Sequence, residues 1–441
     1  MRVLQLVPAL RVGGVERGVL EVDDALVAAR GASFVASSGG PLASSLRGEH
    51  LHWRLLARRD PLSVLLLNPL VLALWLRRHR IDVVHARSRC LVVSALLARL
   101  VVPRVRLVAT WHGYYTSGSL VRRSFNRLLL LATRVILPSH FIWTHVSEEY
   151  PHADRTHWRM VYRGVRPAAA APSPPADAEW VVLLPARLSR SKGHRHLIAA
   201  LEQLPRWTVD GDGERVRIVG RLVGAAPPPS AAFRLPRWAA AAVGARTPYA
   251  CEVEGWVCAA RGKGVALSVQ PYTTSMQAGR LSTPREEGRC IAVASPASQR
   301  EYSLAKVVAM PSTRPEAFGR VLVEALSAQR LVVAFHHGAV GEICAAVWES
   351  AAAAVKAGTD DLSIKWARVT AVHVGVLLMG AVFLVAPNDV VGLRCAIEAA
   401  IEMPQEERLW RTKLAADATQ TCFALKTFTE RTLSVYREAV A

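Results

Sequence analysis

Short apolar runs, each ending in a polar or glycine-bearing turn and then giving way to helical spacing, recur through the first 165 or so residues. Val3-Leu4-Gln5-Leu6-Val7 runs into Gly13-Gly14-Val15-Glu16-Arg17, after which Val15, Val19, Val22 and Leu26 fall on one helical face. Phe34-Val35-Ala36 is a second short run. Ile81–His85 precedes an apolar helix through Leu91–Leu100, Arg106–Thr110 leads into Trp111-His112-Gly113, and Arg134–Leu137 leads into Pro138-Ser139. Runs of this kind are strands covered on both faces, and their alternation with helices predicts a doubly wound parallel sheet.

A chain of 441 residues is too long for one core. The Ala- and Pro-rich stretch Pro167–Ala178 reads as a linker, set at 167–179, between a first domain at 1–166 and a second at 180–405. The second opens on Trp180-Val181-Val182-Leu183-Leu184-Pro185 and resumes at Leu304–Leu326. Helical segments close the chain at 406–441. Residues 222–300 and 345–376 show little periodicity and are expected as atypical insertions.

Half the residues are hydrophobic (51%) and 20% are charged, which excludes a disordered chain. The net charge of +20 favours anionic partners: nucleotide diphosphates, phosphorylated lipids, an anionic membrane face or nucleic acid. Charge alone does not choose among them. Nucleic-acid binding predicts aromatics interleaved in a Lys/Arg groove, which the sequence lacks. Seven scattered cysteines without a CxxC pair point to free thiols in a reducing compartment. The N-terminus opens straight into a strand, without a signal-peptide pattern. The apolar runs Pro61–Leu76 and Val372–Pro387 fall short of the roughly 20 residues of a bilayer span and are expected to be buried or interfacial.

The stretch Val307–Glu324 carries the most chemistry. Val307-Val308-Ala309-Met310 reads as a buried strand, Pro311–Phe318 as a polar turn, and the residues after Gly319 as a helix. A strand feeding a helix this way aims backbone N–H groups and the positive helix end at the strand's carboxyl edge. Glu316 is expected at the helix mouth and Glu324 about two turns in. An anion cradle beside carboxylates that accept sugar hydroxyls suits a nucleotide-sugar. Arg187 and Lys192 follow another buried strand and precede Gly193; a planar fork and a point charge at this spacing can close on one diphosphate. Asp210-Gly211-Asp212 has the look of a divalent-cation pair, but it lies in a Gly-rich turn and no metal is expected there.

Glu316 and Glu324, separated by seven residues around Phe318-Gly319, resemble the EX7E signature of retaining glycosyltransferases of family 4. Arg187-x4-Lys192-Gly193, Gly13-Gly14-x-Glu16-Arg17 and Thr110-Trp111-His112 resemble further motifs of that family. Ala186 stands where the family usually has Gly. The resemblance covers 1–221 and 301–344 well and 377–441 loosely, and is greatest to bacterial enzymes of lipopolysaccharide core and other envelope glycans. It implies a GT-B fold: two Rossmann-like domains facing across a cleft, with the final helices returning to the N-terminal domain.

It also implies roles. Arg187 and Lys192 grip the donor's diphosphate, helped by Ser312, Phe318 and Gly319. Glu324 holds the ribose, Glu316 the transferred sugar, and His112 lies beside that sugar. Gly13 and Gly14 approach the donor phosphate, with Glu16 and Arg17 on the acceptor side. The implied partners are a nucleotide-diphosphate sugar and a glycan or lipid-linked acceptor, with no cofactor. The implied location is cytoplasmic, free or at the inner face of the membrane, where basic Leu-rich surfaces such as Arg122-Arg123 near Leu128–Leu131 rest on lipid or else face the core. The rival reading is an inactive relative that binds without catalysis.

Overall fold

A computed structural model describes residues 1–11, 13–116, 118–167, 179–224, 248–271, 301–357 and 370–441. The chain divides into two compact units. One comprises Met1–Val165, Glu316–Phe318 and Phe423–Ala441, the other Arg166–Pro315 and Gly319–Cys422. Of the expected linker at 167–179, residues 168–178 lie outside the described residues.

In the first unit the strands are β1 (Arg2–Leu6), β2 (Ala32–Ser37), β3 (Glu49–His52), β4 (Val83–Ala86), β5 (Arg106–Thr110), β6 (Arg134–Leu137) and β7 (Trp158–Met160). They form one sheet in the order β3-β2-β1-β4-β5-β6-β7 with every pairing parallel. The helices between them are α1 (Gly14–Ala28), α2 (Asn68–Arg78), α3 (Arg89–Val101), α4 (Leu120–Arg127) and α5 (His140–Glu149). Serine sets several of their starts. Ser139 Oγ, for example, accepts the Ile142 N–H at 3.1 Å, a cap worth about 1 kcal/mol. β3 and β7 carry too few apolar residues in sequence to have been read as strands.

In the second unit β8 (Glu179–Pro185), β9 (Trp207–Val209), β10 (Arg215–Gly224), β11 (Ala266–Pro271), β12 (Val307–Met310), β13 (Leu331–Phe335), β14 (Thr370–His373), β15 (Val376–Met379) and β16 (Val382–Val385) form the sheet β11-β10-β8-β12-β13-β16-β15-β14, with β9 beside β10. From β11 to β16 the pairings are parallel. β14, β15 and β9 are antiparallel additions. The helices are α6 (His194–Leu201), α7 (Pro248–Gly262), α8 (Arg320–Ser327), α9 (Val340–Ala357), α10 (Val390–Ile401) and α11 (Gln405–Phe423).

Three expectations need correcting. Residues 222–300 were expected as an insertion, yet β10 runs on to Gly224 and α7 and β11 fold within the stretch; 225–247 and 272–300 lie outside the described residues. Residues 345–376 are not all inserted loop either, since α9 continues to Ala357 and β14 forms at 370–373. The apolar periodicity of these pieces is weak because their strands sit towards a sheet edge. Third, the return of the chain to the first unit falls at 423 rather than 406. Only the last helix, α12 (Leu425–Val440), completes that unit's core, where Phe428, Val435 and Tyr436 pack with Val3, Val22, Leu26 and Val83.

Pro61–Leu76 is split between core and surface. Val64, Leu72 and Leu76 are buried, whereas Leu62, Leu65, Leu66, Leu70 and Leu74 are each at least 50% exposed. Among the described residues, no helix is long and apolar enough to cross a membrane.

Candidate functional site

In the second unit, two turns meet at the carboxyl edge of neighbouring parallel strands. β8 and β12 pair through Val182↔Val307 and Leu183↔Val308. The chain leaving β8 carries exposed Arg187 and half-buried Lys192; the chain leaving β12 carries Ser312, 3% exposed. The two turns are stitched together by the Thr313 N–H donating to the Ser191 carbonyl at 3.0 Å. Gly193 makes this possible. Its φ of +71° is left-handed, and a Cβ there would overlap the Pro311 carbonyl oxygen. The next strand joins in, for His337, past the end of β13, donates from Nε2 to the Ser312 carbonyl at 2.5 Å.

Gly319, with φ +82°, begins α8. Its left-handed backbone turns the chain so that the first N–H groups of the helix are presented at that edge. Glu324 lies just over one turn into α8 rather than two. Its carboxylate is fixed by Arg320 Nε at 3.2 Å and by the Tyr302 hydroxyl at 3.3 Å. The structure thus brings Arg187, Lys192, Ser312 and Gly319 to one sheet edge, with Glu324 on the helix that starts there.

Asp210 and Asp212 serve backbone. Asp210 Oδ1 accepts the N–H groups of Asp212 and Glu214, both at 3.1 Å, and Asp212 Oδ1 accepts that of Gln405 at 3.0 Å.

The first unit holds the remaining candidates. Gly13 precedes α1 in extended conformation, and Gly14, Glu16 and Arg17 form the first turn of α1; the Arg17 N–H donates to the Gly13 carbonyl at 3.0 Å. His112 follows β5. Its Nδ1 lies 2.9 Å from Arg163 Nη2, while its Nε2 is shut from solvent without a partner among the described residues. A guanidinium only donates, so Nδ1 accepts and the ring proton sits on Nε2. Burial, then Arg163 and Arg87, hold the imidazole well below its ordinary pKa of 6.5. His112 is therefore a neutral ring with one unused N–H.

Nearby, His85 is fully buried and neutral, with Nδ1 2.6 Å from the Tyr436 hydroxyl and Nε2 2.7 Å from Thr110 Oγ1. Arg87, 2% exposed, reaches Gln5 Oε1 at 2.5 Å. Arg87, Arg163 and Tyr436 escaped the sequence reading. Arg87 follows a strand that was read, and its position at the carboxyl end was the available signal. Arg163 follows β7, which was not.

Glu316, Ala317 and Phe318 group with the first unit. The Ala317 carbonyl accepts the Ser139 hydroxyl at 2.6 Å. Glu316 is half-buried there. Phe318, expected at the donor, has its side chain in packing instead. It is 4% exposed, with its ring 5.6 Å from that of Phe423 and 6.1 Å from that of Tyr162. An aromatic ring in a polar turn gains more from apolar neighbours than from a phosphate.

The solved structures similar to this chain include a glycosyltransferase from Rickettsia africae ESF-5, 20% identical, covering 100% of this chain and 98% of that one with a TM-score of 0.68. Anabaena HepE, in complex with UDP and glucose, is 18% identical over 99% of this chain and 100% of its own, with a TM-score of 0.68. Sucrose-phosphate synthase from Thermosynechococcus elongatus is 16% identical over 99% of each chain, with a TM-score of 0.66. No curated protein matches the sequence. At these identities the likeness establishes the fold, which is that of the GT-B glycosyltransferases. One family model, Glycosyltransferase Family 4, matches residues 12–169 of this chain.

Proposed function

We propose that the protein is a retaining glycosyltransferase that moves a sugar from a nucleotide-diphosphate donor to a hydroxyl of a glycan or lipid-linked acceptor. The observation that carries this reading is the stitched pair of turns after β8 and β12, which sets Arg187, Lys192 and the start of α8 on one edge. As the bond from the sugar's anomeric carbon to the diphosphate breaks, negative charge gathers on the leaving phosphates. Two cations and a row of N–H dipoles already in place stabilise it with little reorganisation. No metal is required for that charge.

Glu324, held still by Arg320 and Tyr302, accepts ribose hydroxyls. Glu316 holds the transferred sugar. His112, a neutral N–H donor, hydrogen-bonds a sugar oxygen rather than titrating. Gly13, Gly14, Glu16 and Arg17 serve the acceptor side. HepE was solved with UDP and glucose, which makes UDP-sugars the first donors to try.

The reading extends to a peripheral place on an anionic membrane and an envelope glycan as product. The face of Leu62, Leu65, Leu66, Leu70 and Leu74, with Arg58 and Arg59 before it and Arg77 and Arg78 after it, supports that extension.

The experiment is a donor screen by release of nucleoside diphosphate, followed by anomeric analysis of the product. Release with one UDP- or GDP-sugar and a retained anomer is expected. Absence of both binding and release across the common donors would favour the inactive relative.

A further inference from the structure

At the opposite edge of the second unit's sheet, where β12 and β13 begin, three cations line one cavity. Lys306 stands just before β12, Arg330 just before β13 and Arg408 in the first turn of α11. With Gln329, Gln405 and Thr412 they bound about 60 Å³. One water needs about 10–15 Å³ of such space, so the cavity has room for one small polyatomic ion.

Arg408 is 8% exposed and Arg330 6%. Burying such charges costs several kcal/mol each unless an opposite charge meets them. Neutral groups meet them instead. Arg330 donates from Nε to the Tyr302 carbonyl at 2.7 Å and from Nη2 to the Ser303 carbonyl at 3.3 Å. Arg408 Nη2 reaches Gln405 Oε1 at 3.4 Å, and its Nη1, shut from solvent, has no partner among the described residues. The Trp180 ring takes Lys306 Nζ at 5.5 Å and Arg408 Cζ at 4.9 Å from its centroid. The carboxylates whose field reaches Lys306 and Arg408 are Asp210 and Asp212, and both are committed to backbone N–H groups as described above. Among the described residues no carboxylate forms an ion pair with any of the three. The cations feel one another. Burial and then Arg408 bring Arg330 down to about 10, and burial and then Arg408 also lower Lys306.

We propose that this cavity binds a phosphoryl group, as inorganic phosphate or as a phosphate monoester, through Lys306, Arg330 and Arg408. A tetrahedral oxyanion there accepts the unused Nη1–H of Arg408 and supplies the missing negative charge. It also ties the starts of two central strands to α11. It thus stiffens the second unit from the edge remote from the Arg187 and Lys192 turns.

The test is calorimetric titration of the full chain with inorganic phosphate and with glycerol phosphate, at an ionic strength fixed by chloride. Thermal unfolding is followed in the same buffers. Wild type is compared with Lys306→Gln and Lys192→Ala. Lys306 is half-buried and its ammonium makes no hydrogen bond to a described residue, so its variant is expected to fold; circular dichroism checks this. Phosphate is expected to bind and raise the unfolding temperature. Lys306→Gln should weaken binding at least about tenfold and Lys192→Ala should leave it within about twofold. Equal affinity for the monoester identifies an esterified ligand, and preference for inorganic phosphate identifies the free ion. Binding lost in Lys192→Ala and kept in Lys306→Gln would overturn the proposal, as would no phosphate-specific heat or stabilisation beyond that of chloride.

Discussion

Arg163 Nη2 lies 2.9 Å from Nδ1 of His112, and this contact fixes the tautomer of the imidazole and adds to burial in keeping it neutral. Protonation would set a second cation against a guanidinium with little water between them. His112 is therefore expected to stay neutral, with its proton on Nε2, down to well below its ordinary pKa of 6.5. Nitrogen chemical shifts of the labelled ring across the acid range check this. In Arg163→Gln the titration should move up, because the second-largest cause of the depression is gone. An imidazolium signal in the wild type at about pH 6 would contradict the assignment.

Lys192→Ala and Arg187→Ala are each expected to lower turnover by roughly 10²–10³-fold with little change in stability, since they act on charge that develops as the donor bond breaks. Initial rates and denaturation midpoints measured on the same preparations separate the two effects. Full activity in Lys192→Ala would sink the proposed function.

Gly193→Ala tests the stitching of the two turns. The left-handed backbone and the overlap with the Pro311 carbonyl leave an added methyl no room. A loss of roughly 2–4 kcal/mol is expected, in the range of strained backbone substitutions. Urea unfolding measures it, and an unchanged midpoint would show that the turns are not locked together.

His194 makes stability depend on pH. Burial lowers its pKa to about 4 from 6.5. In the unfolded chain the ring takes up a proton at its ordinary value, whereas in the folded chain it resists until about 4. The unfolded state thus binds more protons between these values, and stability falls as pH drops from 6.5 to about 4, by about 3 kcal/mol from this one group. His194→Gln should flatten that part of the pH–stability curve. An equally steep curve in the variant would assign the effect elsewhere, for instance to His85.

The leucine face of 62–74 predicts sedimentation with vesicles containing phosphatidylglycerol and weak sedimentation with phosphatidylcholine alone. A Leu66→Glu, Leu70→Glu double variant should remain in the supernatant while keeping its fold, because both side chains already face solvent. Equal sedimentation of variant and wild type would exclude this face.

The alternation of the fold was legible because buried parallel strands write themselves as apolar runs. β1, β4, β5, β6, β8, β12 and β13 could all be read that way. β3 (Glu49-His50-Leu51-His52) and β7 (Trp158-Arg159-Met160) could not, since both lie at a sheet edge, and β3 is polar where it meets solvent. The turns proposed to hold the donor were legible because their chemistry is local: cations, glycines and glutamates within a few residues of a strand end. Arg163 and Tyr436 were not, because what they do depends on His112 and His85, which are distant in sequence. Phe318 was misread for the reverse reason. Its neighbours in sequence are polar, and its neighbours in space are aromatic.

The Tyr436 hydroxyl on His85, and Phe428 and Val435 against Val3 and Val83, have a consequence for biosynthesis. The ribosome delivers the first sheet early and the helix that seals it almost last. Until then the nascent sheet holds a bare apolar face while the whole second unit is made. That interval is when the young chain most needs a chaperone, and a premature stop before Tyr436 makes it permanent.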